Sequence, residues 1–103
     1  MTFDGFCLKI GEIFDALPNE IKAKVSVSAE DYPSKGALEI MLSRRYVNLY
    51  GYWNPITPGN IVLCYWGFKA DDDFSDERIS AVIKHEFEHS AIGHSRLKHS
   101  EHK

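Results

Sequence analysis

Two histidines and a glutamate form the most informative motif of the chain. His85 and His89 are four residues apart, and Glu86 follows the first of them, which matches the pattern H-E-x-x-H. On a helix, residues four apart lie on one face about 5–6 Å from each other, so two imidazoles can hold one zinc ion. Glu86 is rotated by about 100° from His85, where its carboxylate can take a proton from zinc-bound water. The motif predicts His85 and His89 as metal ligands, Glu86 as the catalytic base, and Glu88 as an outward-facing residue.

A catalytic zinc site needs a third protein ligand and one open position. The residues after His89 offer His99, His94 and Glu101 as candidates. His99 ranks first because it follows His89 by ten residues, which leaves room for the chain to turn back. His94 ranks second, since a continuing helix would carry it to the far side, and Glu101 ranks third. His102 is expected to be solvated.

Periodic patterns predict the elements that position this motif. The last helix is expected from about Asp76 to Ile92, with its start near Ser75 and its end at Gly93. Apolar residues at three- and four-residue spacings predict an amphipathic helix over residues 3–17, which Pro18 stops. Cys7 is expected in the core on this helix.

The middle of the chain has strand patterns and one ambiguous segment. Residues 24–29 alternate as a half-buried strand does. Residues 34–45 favour a helix capped by Ser34, although Leu38, Ile40 and Leu42 also alternate as in a strand. Two aromatic and β-branched runs, 46–53 and 61–68, flank a turn and predict two strands. Together these patterns predict an α+β fold.

Composition narrows the classes of protein. A length of 103 residues predicts one domain over 1–103, and a net charge of −3 argues against binding nucleic acid through bulk charge. No apolar run is long enough to span a bilayer, so no membrane partner is expected. Only two cysteines are present, and the N-terminus has an acid where a signal peptide has bases, which favours a cytoplasmic location.

The segment His85 to His89 resembles the active-site helix of the zincin metallopeptidases. Residues 50–54 and 61–63 resemble the edge strand of the gluzincins and its neighbour, and the overall size is similar to the minigluzincins. This resemblance implies a minimal zincin-like domain: an N-terminal helix, a small mostly antiparallel sheet of about three strands, the active-site helix and a short C-terminal segment. It also implies a histidine as the third ligand, which favours His99. The metzincin pattern fits less well, because Ser95 stands where that family has its third histidine.

The resemblance further implies a peptide or protein substrate that pairs with the edge strand, here at Gly51 and Tyr52. It suggests latency through the C-terminal segment, which is also the candidate site of self-association. The predicted function is that of a zinc metalloendopeptidase, whose cofactor is Zn²⁺. The alternative is a metal-binding or protein-interaction module with a degenerate, inactive zincin site. Zinc endonucleases with a related helix have glycine in the position of Glu86, which argues for the peptidase.

Overall fold

The computed structural model describes the backbone of residues 1–92 and the side chains of residues 1–89. These residues form helices and strands in an α+β arrangement, as predicted. In chain order the elements are α1 (Phe3–Asp15), α2 (Asn19–Lys24), β1 (Ser26–Glu30), α3 (Lys35–Arg44), β2 (Gly51–Trp53), β3 (Asn60–Cys64), α4 (Tyr65–Asp71) and α5 (Asp76–Ile92). Gly93 and the candidates for the third ligand lie outside the described residues.

The three strands form one mixed sheet in the order β1-β3-β2. β1 pairs with β3 in parallel, with Val27 opposite Ile61. β2 pairs with β3 antiparallel, with Tyr52 opposite Val62. The prediction of a mostly antiparallel sheet is therefore wrong in one of the two pairings. β1 lies parallel to β3 because the chain crosses through α3 and β2 before it returns beside β1.

Helices cover both faces of this sheet. On one face, α1 and α5 pack against β3 through fully buried side chains that include Phe6, Ile79 and Ile83. On the other face, Ala37 of α3 belongs to a second cluster with Tyr52. The sheet thus holds α5 in a fixed place relative to β2.

The helix predicted over residues 34–45 is confirmed, and the strand alternative is wrong. The Ser34 hydroxyl accepts a hydrogen bond from the Ala37 amide at 3.1 Å, as an N-cap does. The helix predicted over 3–17 ends at Asp15, and the Cys7 side chain is exposed rather than in the core. Cys7 lies at the border of the apolar face, where the spacing alone does not decide burial.

The two strands predicted around the turn are both shorter than expected. In the run 46–53 only Gly51–Trp53 pairs, and the run 61–68 changes at Tyr65 from strand to α4. The cause is a tertiary contact: the Asn48 side chain donates to the Gly67 carbonyl at 3.0 Å. The segment before β2 therefore packs on α4 instead of extending the strand pair.

Within residues 1–92, no helix combines the length and the apolar character that crossing a membrane requires.

Candidate active site and metal centre

Helix α5 begins and ends where the sequence predicts, at Asp76 and Ile92. The Ser75 hydroxyl accepts a hydrogen bond from the Arg78 amide at 3.1 Å and caps the helix. Ile79 and Ile83 are fully buried and fix the rotation of the helix about its axis. The side chains of residues 84–89 consequently have a defined direction.

His85, Glu86 and His89 lie together on α5. One ligand atom from each lies within 4.8 Å of the others. The two imidazole rings are tilted, with centroids 4.2 Å apart. Two imidazole nitrogens and a carboxylate suit zinc by their chemistry, so these residues fit part of a zinc site. Glu88 is exposed and points away, as predicted.

The Glu86 side chain is half-buried. It follows Val82 by four residues and Ile83 by three, so it shares the inner face, whereas His85 is exposed. Burial raises the pKa of Glu86 from 4.5 to about 7, and the positive charge of Arg44 opposes this rise. A carboxyl group with a pKa near neutrality is suited to accept and return a proton at physiological pH.

The raised pKa predicts how the stability of the metal-free protein depends on pH. Between pH 4.5 and pH 7 the folded protein holds a proton on Glu86 that the unfolded chain releases. Its stability is therefore expected to fall as the pH rises through this window and to level off above it. At 1.36 kcal/mol for each pH unit, the loss is at most about 3 kcal/mol, because water reaches part of the side chain.

Denaturant unfolding with a chelator, at several pH values from 4.5 to 8, measures this effect. The Glu86→Gln variant is the control, since it retains both histidines and has no proton to release at position 86. The stability of the wild type relative to this variant should decrease across the window. A difference that stays constant with pH would contradict the burial of a protonated Glu86.

The edge strand β2 lies beside the candidate metal ligands. The Cys64 amide donates to the Tyr50 carbonyl, and the Asn54 amide donates to the Asn60 carbonyl, both at 2.8 Å. Because antiparallel pairs alternate, the main chain between these bonds faces β3 at Tyr52 and faces outward at Gly51 and at Trp53. Within residues 1–92, β2 has no strand on that outer side.

The predicted substrate-binding residues Gly51 and Tyr52 thus have different surroundings. The main chain of Gly51 faces away from β3, but the residue is buried. The Tyr52 side chain is buried, and its hydroxyl donates to Glu30 Oε2 at 2.8 Å. That burial is the main reason that the pKa of Tyr52 is raised to about 12. The second outward residue is Trp53, which the sequence reasoning missed although it alternates with Gly51.

Trp53 also contacts α5 directly. Its indole Nε1 donates to the main-chain carbonyl of Glu86 at 2.7 Å. Gly51 allows this close approach, since a Cβ atom there would lie 3.1 Å from Val82 Cγ1. The edge strand and the predicted catalytic residue are therefore in contact.

Comparisons with known proteins add no evidence about the site, which therefore rests on these residues and their geometry. No protein-family model matches the chain, no curated protein is significantly similar to it, and no solved structure is significantly similar to its fold.

Proposed function

We propose that the protein is a zinc-dependent metallopeptidase of the zincin type. One observation carries the proposal: the ligand atoms of His85, Glu86 and His89 lie within 4.8 Å of one another on the helix that contacts an open strand edge. This arrangement supports metal binding, proton transfer and the pairing of an extended peptide at neighbouring positions. The combination supports hydrolysis of peptide bonds better than metal binding alone, which needs neither a buried carboxyl group nor a strand edge.

His85 and His89 would hold the metal ion, and the third ligand would come from His99, with His94 and Glu101 as the alternatives. A zinc ion held there would supply Lewis-acid chemistry, that is, activation of water and of the scissile carbonyl. Glu86 would accept the proton of the attacking water and return it to the amine of the leaving product. Burial raises the pKa of Glu86 to about 7 in the metal-free protein, and a bound cation would lower this pKa and favour the ionised form that acts as a base.

The substrate would be an extended peptide or an extended segment of a protein. Main-chain groups at the open edge of β2 can pair with a peptide backbone, as an added strand does. Within the described part of β2, the main chain of Gly51 and Trp53 faces away from β3, and of these two residues Trp53 is partly exposed while Gly51 is buried. The edge would therefore hold a short stretch of substrate at Trp53. The cytoplasmic location and the absence of nucleic-acid and membrane partners remain predictions from composition.

Latency through the C-terminal segment is part of the proposal. The segment that would supply the third ligand immediately follows the metal-binding helix. Its chain could therefore cover the open position of the metal and exclude substrate. This feature rests on the resemblance to the minigluzincins and not on the described residues. A truncation that removes the residues after His99 is the variant that addresses it.

Zinc binding by histidine variants tests the ligand set. We expect the wild-type protein to bind one zinc ion, and His85→Ala or His89→Ala to weaken binding by more than about 100-fold, because each removes a direct ligand. Calorimetric titration with zinc measures the stoichiometry and the affinity. The variants His94→Ala, His99→Ala and His102→Ala complete the set of five histidines, and of these three we expect His99→Ala to have the largest effect.

His102→Ala is the matched control, since this histidine is expected to be solvated. Zinc affinity that is unchanged in both His85→Ala and His89→Ala would contradict the proposed site. One zinc ion bound through His85 and His89 without hydrolysis, both in the wild type and after removal of the residues that follow His99, would favour the alternative function, an inactive metal-binding module.

A further inference from the structure

Two contacts fix the edge strand along α5. At one end, the Arg78 guanidinium lies over the Tyr50 ring, 4.4 Å from its centroid. At the other end, the Trp53 indole donates to the Glu86 carbonyl at 2.7 Å. Between them, Gly51 lets the strand approach Val82 closely. The strand is thus attached to the helix at both ends and packed against it in the middle.

The spacing of these contacts defines the direction of the strand. From Arg78 to Glu86 the helix advances eight residues, or about 12 Å at 1.5 Å per residue. From Tyr50 to Trp53 the strand advances three residues, or about 10 Å at 3.3 Å per residue. The two lengths are similar. Because the earlier helix residue contacts the earlier strand residue, and the later contacts the later, the strand runs beside the helix in the same direction. It cannot slide along the helix without losing one of the two contacts.

Trp53 connects the edge of the sheet to Glu86. Its main chain faces the open edge, where a peptide would pair, and its indole donates a hydrogen bond to the main-chain carbonyl of Glu86. We propose that Trp53 is a positioning residue, which sets the distance between the bound peptide backbone and the carboxyl group of Glu86. This inference rests on the proposed peptidase function and adds a residue to it. Trp53 acts through Glu86 and needs no contact with the reacting atoms.

Trp66 provides an internal comparison. It packs in the cluster on the opposite face of the sheet, and its buried indole Nε1 has no hydrogen-bond partner among the described residues. Trp66 therefore contributes packing without a directional bond. The two tryptophans therefore differ in one property: the Trp53 indole donates a hydrogen bond to α5, and the Trp66 indole does not.

Kinetics of Trp53→Phe and Trp66→Phe test the inference. Each variant loses one indole N–H and keeps an aromatic ring, but only Trp53→Phe loses a hydrogen bond. We expect Trp53→Phe to lower kcat by about tenfold with KM within about twofold of the wild type, because the edge main chain is unchanged while Glu86 is less well oriented. Trp66→Phe should leave both constants within about twofold. Equal kcat values in the two variants, or a loss confined to KM, would overturn the positioning role.

Indole resonances of the ¹⁵N-labelled wild type give a second measurement that needs no activity and no stable variant. We expect the Trp53 indole proton to resonate downfield of the Trp66 proton and to shift more when zinc is added, since its acceptor lies between the metal-binding histidines. Absence of both effects would overturn the inference. Zinc-induced shifts of Trp53 in a protein that cleaves no peptide, including after removal of the residues that follow His99, would instead overturn the proposed function and leave the coupling of Trp53 to the metal site supported.

Discussion

Replacing Glu86 by Gln is expected to lower peptide hydrolysis by about 1,000-fold or more while the protein still binds one zinc ion. Gln has nearly the shape of Glu but cannot accept a proton from the attacking water, and general base catalysis contributes about 10²–10⁴-fold. The histidines proposed to hold the metal are unchanged in this variant. Steady-state cleavage of a fluorogenic peptide, with zinc content measured on the same sample, determines both quantities.

Glu88→Gln is the matched control for this experiment. It makes the same chemical change two residues away, at an exposed side chain of the same helix. We expect its activity to stay within about twofold of the wild type. Full activity in Glu86→Gln with zinc retained would exclude Glu86 as the base. Equal losses in both variants would mean that the helix, rather than the proton acceptor, had been disturbed.

Replacing Gly67 by Ala is expected to lower the free energy of unfolding by about 3 kcal/mol or more. A Cβ atom at this position would lie 1.9 Å from the Leu49 carbonyl oxygen, which belongs to the main chain and cannot rotate away. Either α4 or the segment that leads into β2 must then move, and overpacking of this kind costs about 1–3 kcal/mol, occasionally more. Denaturant unfolding of the metal-free protein measures the change.

Gly11→Ala is the control for Gly67→Ala. Gly11 is in the middle of α1, and a Cβ atom there would meet nothing within 4 Å. Alanine should therefore stabilise the protein there by up to about 1 kcal/mol through helix propensity. A Gly67→Ala variant as stable as the wild type would contradict the close packing of α4 against the segment before β2.

The elements that carry the motif were predictable because local signals agree there. For α5, a serine cap, acidic residues in the first turn and buried residues at Ile79 and Ile83 all indicate one helix. The Ser34 cap likewise decides between helix and strand for the following segment. Its hydroxyl accepts a hydrogen bond from the Ala37 amide, which has no main-chain partner in the first turn of a helix. The prediction that Glu88 faces outward follows from the same helical geometry.

Long-range contacts explain what the sequence could not predict. The aromatic run after Ile61 has strong strand propensity, yet it changes to a helix at Tyr65, because Gly67 packs against the main chain at Leu49. The parallel pairing of β1 with β3 depends on how the chain crosses the sheet. Neither contact leaves a local pattern, since each joins residues far apart in the chain.

The candidate site was predictable in part for the same reasons. Helical spacing places His85, Glu86 and His89 together without reference to the rest of the fold. Strand alternation from Gly51 could have indicated Trp53 as the second outward residue. The bond from the Trp53 indole to the Glu86 carbonyl could not be foreseen, because it depends on how closely β2 approaches α5.

Hydrolysis of peptide bonds with a metal held by His85 and His89 is the function proposed for this protein. Mass spectrometry of a mixed peptide library, after incubation with the zinc-loaded protein, detects such hydrolysis as new peptide termini. We expect new peptide termini with the wild type in zinc, and none with a chelator or with Glu86→Gln. If the wild type binds one zinc ion and produces no new termini, including after removal of the residues that follow His99, the peptidase account is contradicted.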